Sequence, residues 1–99
     1  MPEELSAFRV EVGPRASIAQ LPRVRADIVE LVLRDCPFEL DSVLNMRNTP
    51  WIRALDAMRG GQGTWYLRVA LRDPGNDLAA DVEDGQLVLR VLDRRAEVR

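Results

Sequence analysis

The sequence predicts an α+β domain: an antiparallel sheet of about four strands, in the order β-α-α-α-β-β-β, with the helices packed on one face. Three observations predict it. Apolar and charged residues alternate at both ends of the chain, in Phe8-Arg9-Val10-Glu11-Val12 and again from Trp65 onward. Between them Val24, Ile28, Leu31 and Val32 fall at helical spacing. Turn-forming clusters then cut the second half into strand-sized lengths.

In the first strand Phe8, Val10 and Val12 share one face, and Arg9 and Glu11 the other. Gly13 and Pro14 break it, and the segment from Ala16 to Leu21 reads equally as a loop or a short helical turn. Pro22 suits the first turn of a helix over residues 22 to 35, with Arg23/Asp27 and Glu30/Arg34 spaced four apart outside the apolar stripe. A rival reading takes the β-branched run from Ile28 to Leu33 as a buried strand; length and the charge pairs favour the helix. Pro37 ends it. A second, shorter helix is expected to carry Phe38, Val43, Leu44 and Met46.

Thr49-Pro50 supplies a capping hydroxyl and a proline whose missing N–H costs nothing in a first turn, so a third helix is expected from Pro50 to Arg59. Its stripe is Trp51, Leu55 and Met58, flanked by Ile52, and Gly60-Gly61 closes it. From Thr64 the period becomes two: Trp65, Leu67, Val69 and Leu71 point one way, and Tyr66, Arg68, Ala70 and Arg72 the other. Asp73-Pro74-Gly75-Asn76 is a turn, after which Leu78, Ala80 and Val82 resume the alternation. Closing a hairpin at Asp84-Gly85 pairs Val82 with Leu87, Ala80 with Leu89 and Leu78 with Val91, which puts all six on one face. A one-residue slip would scatter them. The charged end, Arg94 to Arg99, is expected to fray.

Composition removes several functions. The chain has 99 residues, and all fourteen of its basic residues are arginine, with no lysine and no histidine. Imidazole acid/base chemistry, Ser-His triads, histidine metal sites and lysine Schiff bases are therefore excluded. A GC-rich, bacterial-type coding bias is the plain explanation for the arginines. The net charge of −2, with opposite signs interleaved, offers no broad positive field to a nucleic-acid backbone. Cys36 is the single cysteine, which rules out an internal disulfide or a thiolate cluster and suits a reducing compartment. Glu3 and Glu4 stand where a secretory leader would be basic, and no apolar run is long enough to span a bilayer. A cytoplasmic protein is expected.

Several constellations bear on chemistry. Leu40-Asp41-Ser42-Val43-Leu44 resembles the Asp-Ser-Leu site at which acyl carrier proteins receive phosphopantetheine. The likeness covers five residues, and carriers are helical bundles, so a helix-start serine is the simpler account. The run Asp81-Val82-Glu83-Asp84-Gly85-Gln86-Leu87-Val88-Leu89-Arg90 resembles the C-terminal strands of the small heat-shock (alpha-crystallin) fold. An expected helical first half departs from that all-β sandwich, so no function is carried across. Asp77, Asp81, Glu83 and Asp84 match no calcium-loop spacing and read as solvated hairpin charges. Cys36 has no histidine to activate it and reads as a small core residue. Trp51 and Trp65 read most simply as core aromatics, and either could instead anchor an interface.

Two candidate surfaces remain. Arg68, Arg72 and Arg90, with Tyr66, fall on the face opposite the apolar one, a candidate contact for phosphate or single-stranded nucleic acid; Asp81 and Glu83 on the same face favour internal ion pairing instead. Val88 and Leu92 are apolar on that outer face, beside Tyr66 and Ala70, which points to a covering chain. The expected function is a small non-catalytic interaction or regulatory module without a cofactor or metal. Its partner would be a second copy or another protein, with nucleic acid disfavoured and no membrane.

Overall fold

The computed structural model describes residues 3–40, 44 and 49–93, and every regular element in them is a strand. There are seven: β1 (Glu3–Glu11), β2 (Ser17–Gln20), β3 (Ile28–Arg34), β4 (Ile52–Arg59), β5 (Trp65–Leu71), β6 (Asn76–Glu83) and β7 (Gln86–Asp93). They form two antiparallel sheets, one of three strands in the order β1-β7-β6 and one of four in the order β2-β3-β5-β4. The expected α+β class is thereby corrected to a nearly all-β sandwich.

The helix expected over residues 22 to 35 is the strand β3, the rival reading. Its inward residues Val29, Leu31 and Leu33 are buried against the second sheet. Ile28 and Val32, on the opposite face, are apolar too, and this fills in the alternation until it imitates a helical stripe. The charges assigned to i,i+4 pairs find partners in other strands and loops: Arg23 on Asp77, Arg53 on Asp27 and Arg68 on Glu30.

The helix expected from Pro50 to Arg59 is β4. A bulge between Ile52 and Ala54 shifts the phase of the strand, so Ile52, Leu55 and Ala57 all face inward although the first two are three residues apart. That spacing looks helical. Thr49 Oγ1 does accept from the N–H groups of Trp51 and Ile52, at 3.2 and 2.9 Å, but the turn it closes opens into a strand. The ambiguous segment after Pro14 contains β2. Of the short helix expected to carry Phe38, Val43, Leu44 and Met46, Phe38 lies outside any regular element and the Leu44 N–H donates to the Leu40 carbonyl at 2.8 Å, one helical turn. Val43 and Met46, the serine of the carrier-like run and the charged end from Arg94 lie outside the described residues.

The hairpin of β6 and β7 has the predicted register: Val82 opposes Leu87, Ala80 opposes Leu89 and Leu78 opposes Val91. Asp84 and Gly85 both take positive φ, as a type I′ turn requires. The Asp73 turn forms as well, with the Gly75 N–H on Asp73 Oδ1 at 2.8 Å. It does not fold β6 back onto β5. Both edges of β5 are taken, by β3 and β4, so the chain crosses to the other sheet.

Leu87, Leu89 and Val91 of β7 pack in one cluster with Val10, Leu78, Leu31, Leu33, Trp65, Leu67 and Val69, joined by Leu40 and Leu44 from the β3–β4 connection. Hydrophobic burial of this kind gives about 1.5–3 kcal/mol for each large side chain fully withdrawn from water. The sheets are tied at the β2/β6 seam, where Gln20 Nε2 donates to the Leu78 carbonyl at 2.9 Å and the Arg23 guanidinium reaches the Asn76 carbonyl and Asp77 Oδ1. No helix among the described residues is long and apolar enough to cross a membrane.

Candidate interaction face

The sandwich has two outer faces, and they differ. On the three-stranded sheet, Arg90 lies on the central strand and bridges Glu4 of β1 at 3.2 Å and Glu83 of β6 at 2.9 Å. The hydrogen bond to Glu83, helped by the charges of Glu83, Glu4 and Asp81, holds its guanidinium above the ordinary arginine value despite some desolvation. Glu83 stands opposite Gln86, four rungs from Arg90, with Val88 the outward residue between them, so the guanidinium reaches across Val88. That accounts for a 0% exposed Val88 on an outer face, without a second chain. Leu92 beside it is half-buried.

Tyr66 is on the other sheet. It is 51% exposed, with Met58 next to it at 67%. The three residues expected to form one interaction face, Tyr66, Val88 and Leu92, are therefore not brought together. The arginines separate similarly. Arg68 lies on the outer face of the four-stranded sheet, 3.7 Å from Glu30. Arg72 follows β5 and donates to the Thr49 carbonyl at 3.1 Å. Arg90 is on the opposite sheet. The expected arginine patch rested on a single sheet, and two sheets divide it.

What the four-stranded sheet presents is a face built in rows. One row, Ala19–Val32–Tyr66–Met58, crosses all four strands and is apolar throughout. The next places Arg68 between Glu30 and Asp56, with Leu21 beyond, its N–H on the Glu30 carbonyl at 2.9 Å. The third is Ile28–Ala70–Ala54. A shallow concavity of about 310 Å³ opens among Met58, Tyr66, Arg68, Glu30 and Asp56.

The Tyr66 ring is held in place by a glycine. A Cβ on Gly60 would stand 2.6 Å from Tyr66 Cε2, so the ring lies on bare backbone at the end of β4. The β4–β5 connection keeps Gly60 there through its N–H bond to the Thr64 carbonyl at 2.7 Å, with Gln62 and Gly63 at positive φ completing the turn. An aromatic ring seated this way is pre-ordered and loses little entropy on docking. Met58 and Leu21 do not stand out as surface residues in the sequence, because Met58 fits a helix stripe and Leu21 falls in a segment that reads equally as a loop or a short helical turn. The cross-strand rows become visible only once β3 and β4 are strands.

A second cleft, about 360 Å³, lies among the Gly13, Asp35 to Pro37 and Gly63 turns at one end of the sandwich. Cys36 lines it, but the residue is 2% exposed and its thiol donates to the Phe38 carbonyl at 3.7 Å. Burial pushes the thiol up from its ordinary value, outweighing the hydrogen bond to Phe38. A protonated, covered thiol is a poor nucleophile.

No family model matches the chain, and neither a curated protein nor a solved structure shows significant similarity to it. The all-β architecture removes the helical departure from the alpha-crystallin sandwich. With no solved structure in support, that likeness still carries no function.

Proposed function

We propose that this chain is a small, non-catalytic interaction module that docks through the outer face of its four-stranded sheet. The observation that carries the proposal is the apolar row Ala19–Val32–Tyr66–Met58, which spans the whole sheet and ends in two large exposed side chains. A solvated sheet face is ordinarily polar, and contiguous apolar surface rimmed by charge marks a docking site. Tyrosine and methionine are also enriched in interface cores. On the other outer face the apolar Val88 is fully covered within the chain, and Arg90 is paired with Glu4 and Glu83. A reducing compartment, the cytoplasm, suits a chain whose cysteine is a buried free thiol.

Site-specific photocrosslinking in cells tests the proposal. A photoreactive residue at Tyr66 or Met58 is expected to give a discrete protein adduct, and one at Asp81, on the opposite sheet, to give none. Adducts from Asp81 alone, or from none of the three positions, would refute it.

A further inference from the structure

We infer that the occupant of this face is a second copy of the same chain, packed face to face about a two-fold axis that runs along the strands between β3 and β5. The inference rests on the docking role proposed above and assigns its partner. It follows from the order of residues within the rows.

A two-fold axis along that line lays β5 of one copy over β3 of the other and β4 over β2. In the first row Tyr66 then meets Val32 and Met58 meets Ala19, so each large side chain faces a smaller one. In the second, Arg68 meets Glu30 and Glu30 meets Arg68, which makes two intermolecular ion pairs from one stripe. The third row contributes little, because Ile28 and Ala70 are already buried within one copy. In the first two rows Tyr66, Met58 and Arg68 lie on β5 and β4, and Val32, Ala19 and Glu30 on β3 and β2, and the rotation exchanges the two sets; Asp56 then lies over Leu21.

Other two-fold placements fail on charge or on area. An axis across the strands through the second row sets Arg68 on Arg68, a like-charge contact. An axis between β4 and β5 pairs Arg68 with Asp56 but overlays only two strands, because β4 is the edge of the sheet. The axis between β3 and β5 overlays all four. Four strands about 4.8 Å apart and about 20 Å long span roughly 400 Å² per copy, the size of a weak, transient contact. Weak, concentration-dependent self-association is the expected behaviour.

The test is a charge-reversal mixing experiment read by sedimentation velocity and native mass spectrometry, with melting temperatures as the folding control. Wild type is expected to dimerise reversibly with concentration. Arg68→Glu places carboxylates against Glu30 of the other copy, and Glu30→Arg places arginine against arginine, so each variant alone should self-associate about a hundredfold more weakly. Mixed, the two variants restore both ion pairs, and a dimer containing one of each is expected. This rescue separates a contact between chains from the cross-strand pairing within one. Tyr66→Glu, which leaves the charge stripe intact, should also be monomeric.

The inference is overturned if folded variants dimerise as wild type does, or if the mixture stays monomeric. A wild type that is monomeric at every concentration also overturns it. In that last case, a heterologous adduct from Tyr66 in the photocrosslinking experiment would leave the docking proposal standing, whereas no adduct would remove both.

Discussion

Val88 and Leu89 are adjacent in β7 and both are 0% exposed, yet alanine at the two positions should have very different consequences. Leu89 points between the sheets and belongs to the core cluster, where surrounding strands are fixed on both sides and collapse is limited. Removing three carbons there loses transfer energy and leaves a cavity, for about 3 to 4 kcal/mol. Val88 points outward, is absent from the core cluster and lies between Arg9 and Asp81 on the neighbouring strands, beneath the reach of Arg90. Its two methyl groups are worth at most about 1.5 kcal/mol, and flexible side chains can settle into the space, so about 0.5 to 1.5 kcal/mol is expected. In a domain of this size 1 kcal/mol moves the melting temperature by about 4–8 °C, which puts the two variants at least roughly 6 °C apart. Urea denaturation with an unchanged slope is the assay. Equal costs would refute the reasoning, because Val88 would then sit in a closed, rigid environment that this chain does not supply. Val88→Arg sharpens the test: it should lower stability by inserting a cation below Arg90. A stable Val88→Arg monomer derived from a wild-type dimer would mean that another chain covers this face.

Other outcomes follow from the same structure. Arg23→Ala should cost about 1 to 2 kcal/mol in chemical denaturation, since Arg23 ties two loop and strand carbonyls and Asp77 at the seam; Arg53→Ala removes only the exposed pair with Asp27 and should cost under about 1 kcal/mol. Gly85→Ala should cost about 1 to 2 kcal/mol, because the position needs positive φ and an added Cβ would stand 3.4 Å from the Gly13 backbone, whereas Asp84→Asn at the same turn should be nearly neutral by thermal melting. Cys36 should resist thiol reagents until the protein is unfolded. With its thiol pKa raised in the fold, the unfolded chain ionises first above pH about 8.5, so stability should fall as pH rises from there, and Cys36→Ala should remove that part of the alkaline slope.

Where the alternation was clean, as in β1 and β5, or a two-residue turn fixed the register, as in the β6–β7 hairpin, the pattern was legible. It failed where the outer face is apolar. Ile28 and Val32 disguise β3, and the bulge after Ile52 disguises β4, so the two misread strands are neighbours of β5 in the sheet proposed to dock. Their error also hid the site, for Tyr66 was placed beside Val88 and Leu92 when its row mates are Met58, Val32 and Ala19. Turn chemistry was legible at Asp73 but its destination was not, since only the pairing of both β5 edges forces the chain to the second sheet.

Hydroxyl-radical footprinting, comparing dilute purified protein with the protein in concentrated lysate, tests the docking face most directly. Met58 and Tyr66 react readily when free, and Phe38, 46% exposed in the β3–β4 connection, serves as the internal reference. Protection of Met58 and Tyr66 in the lysate with Phe38 unchanged is the predicted result. Unchanged labelling at both residues, or protection confined to Phe38 and the three-stranded sheet, would contradict the account.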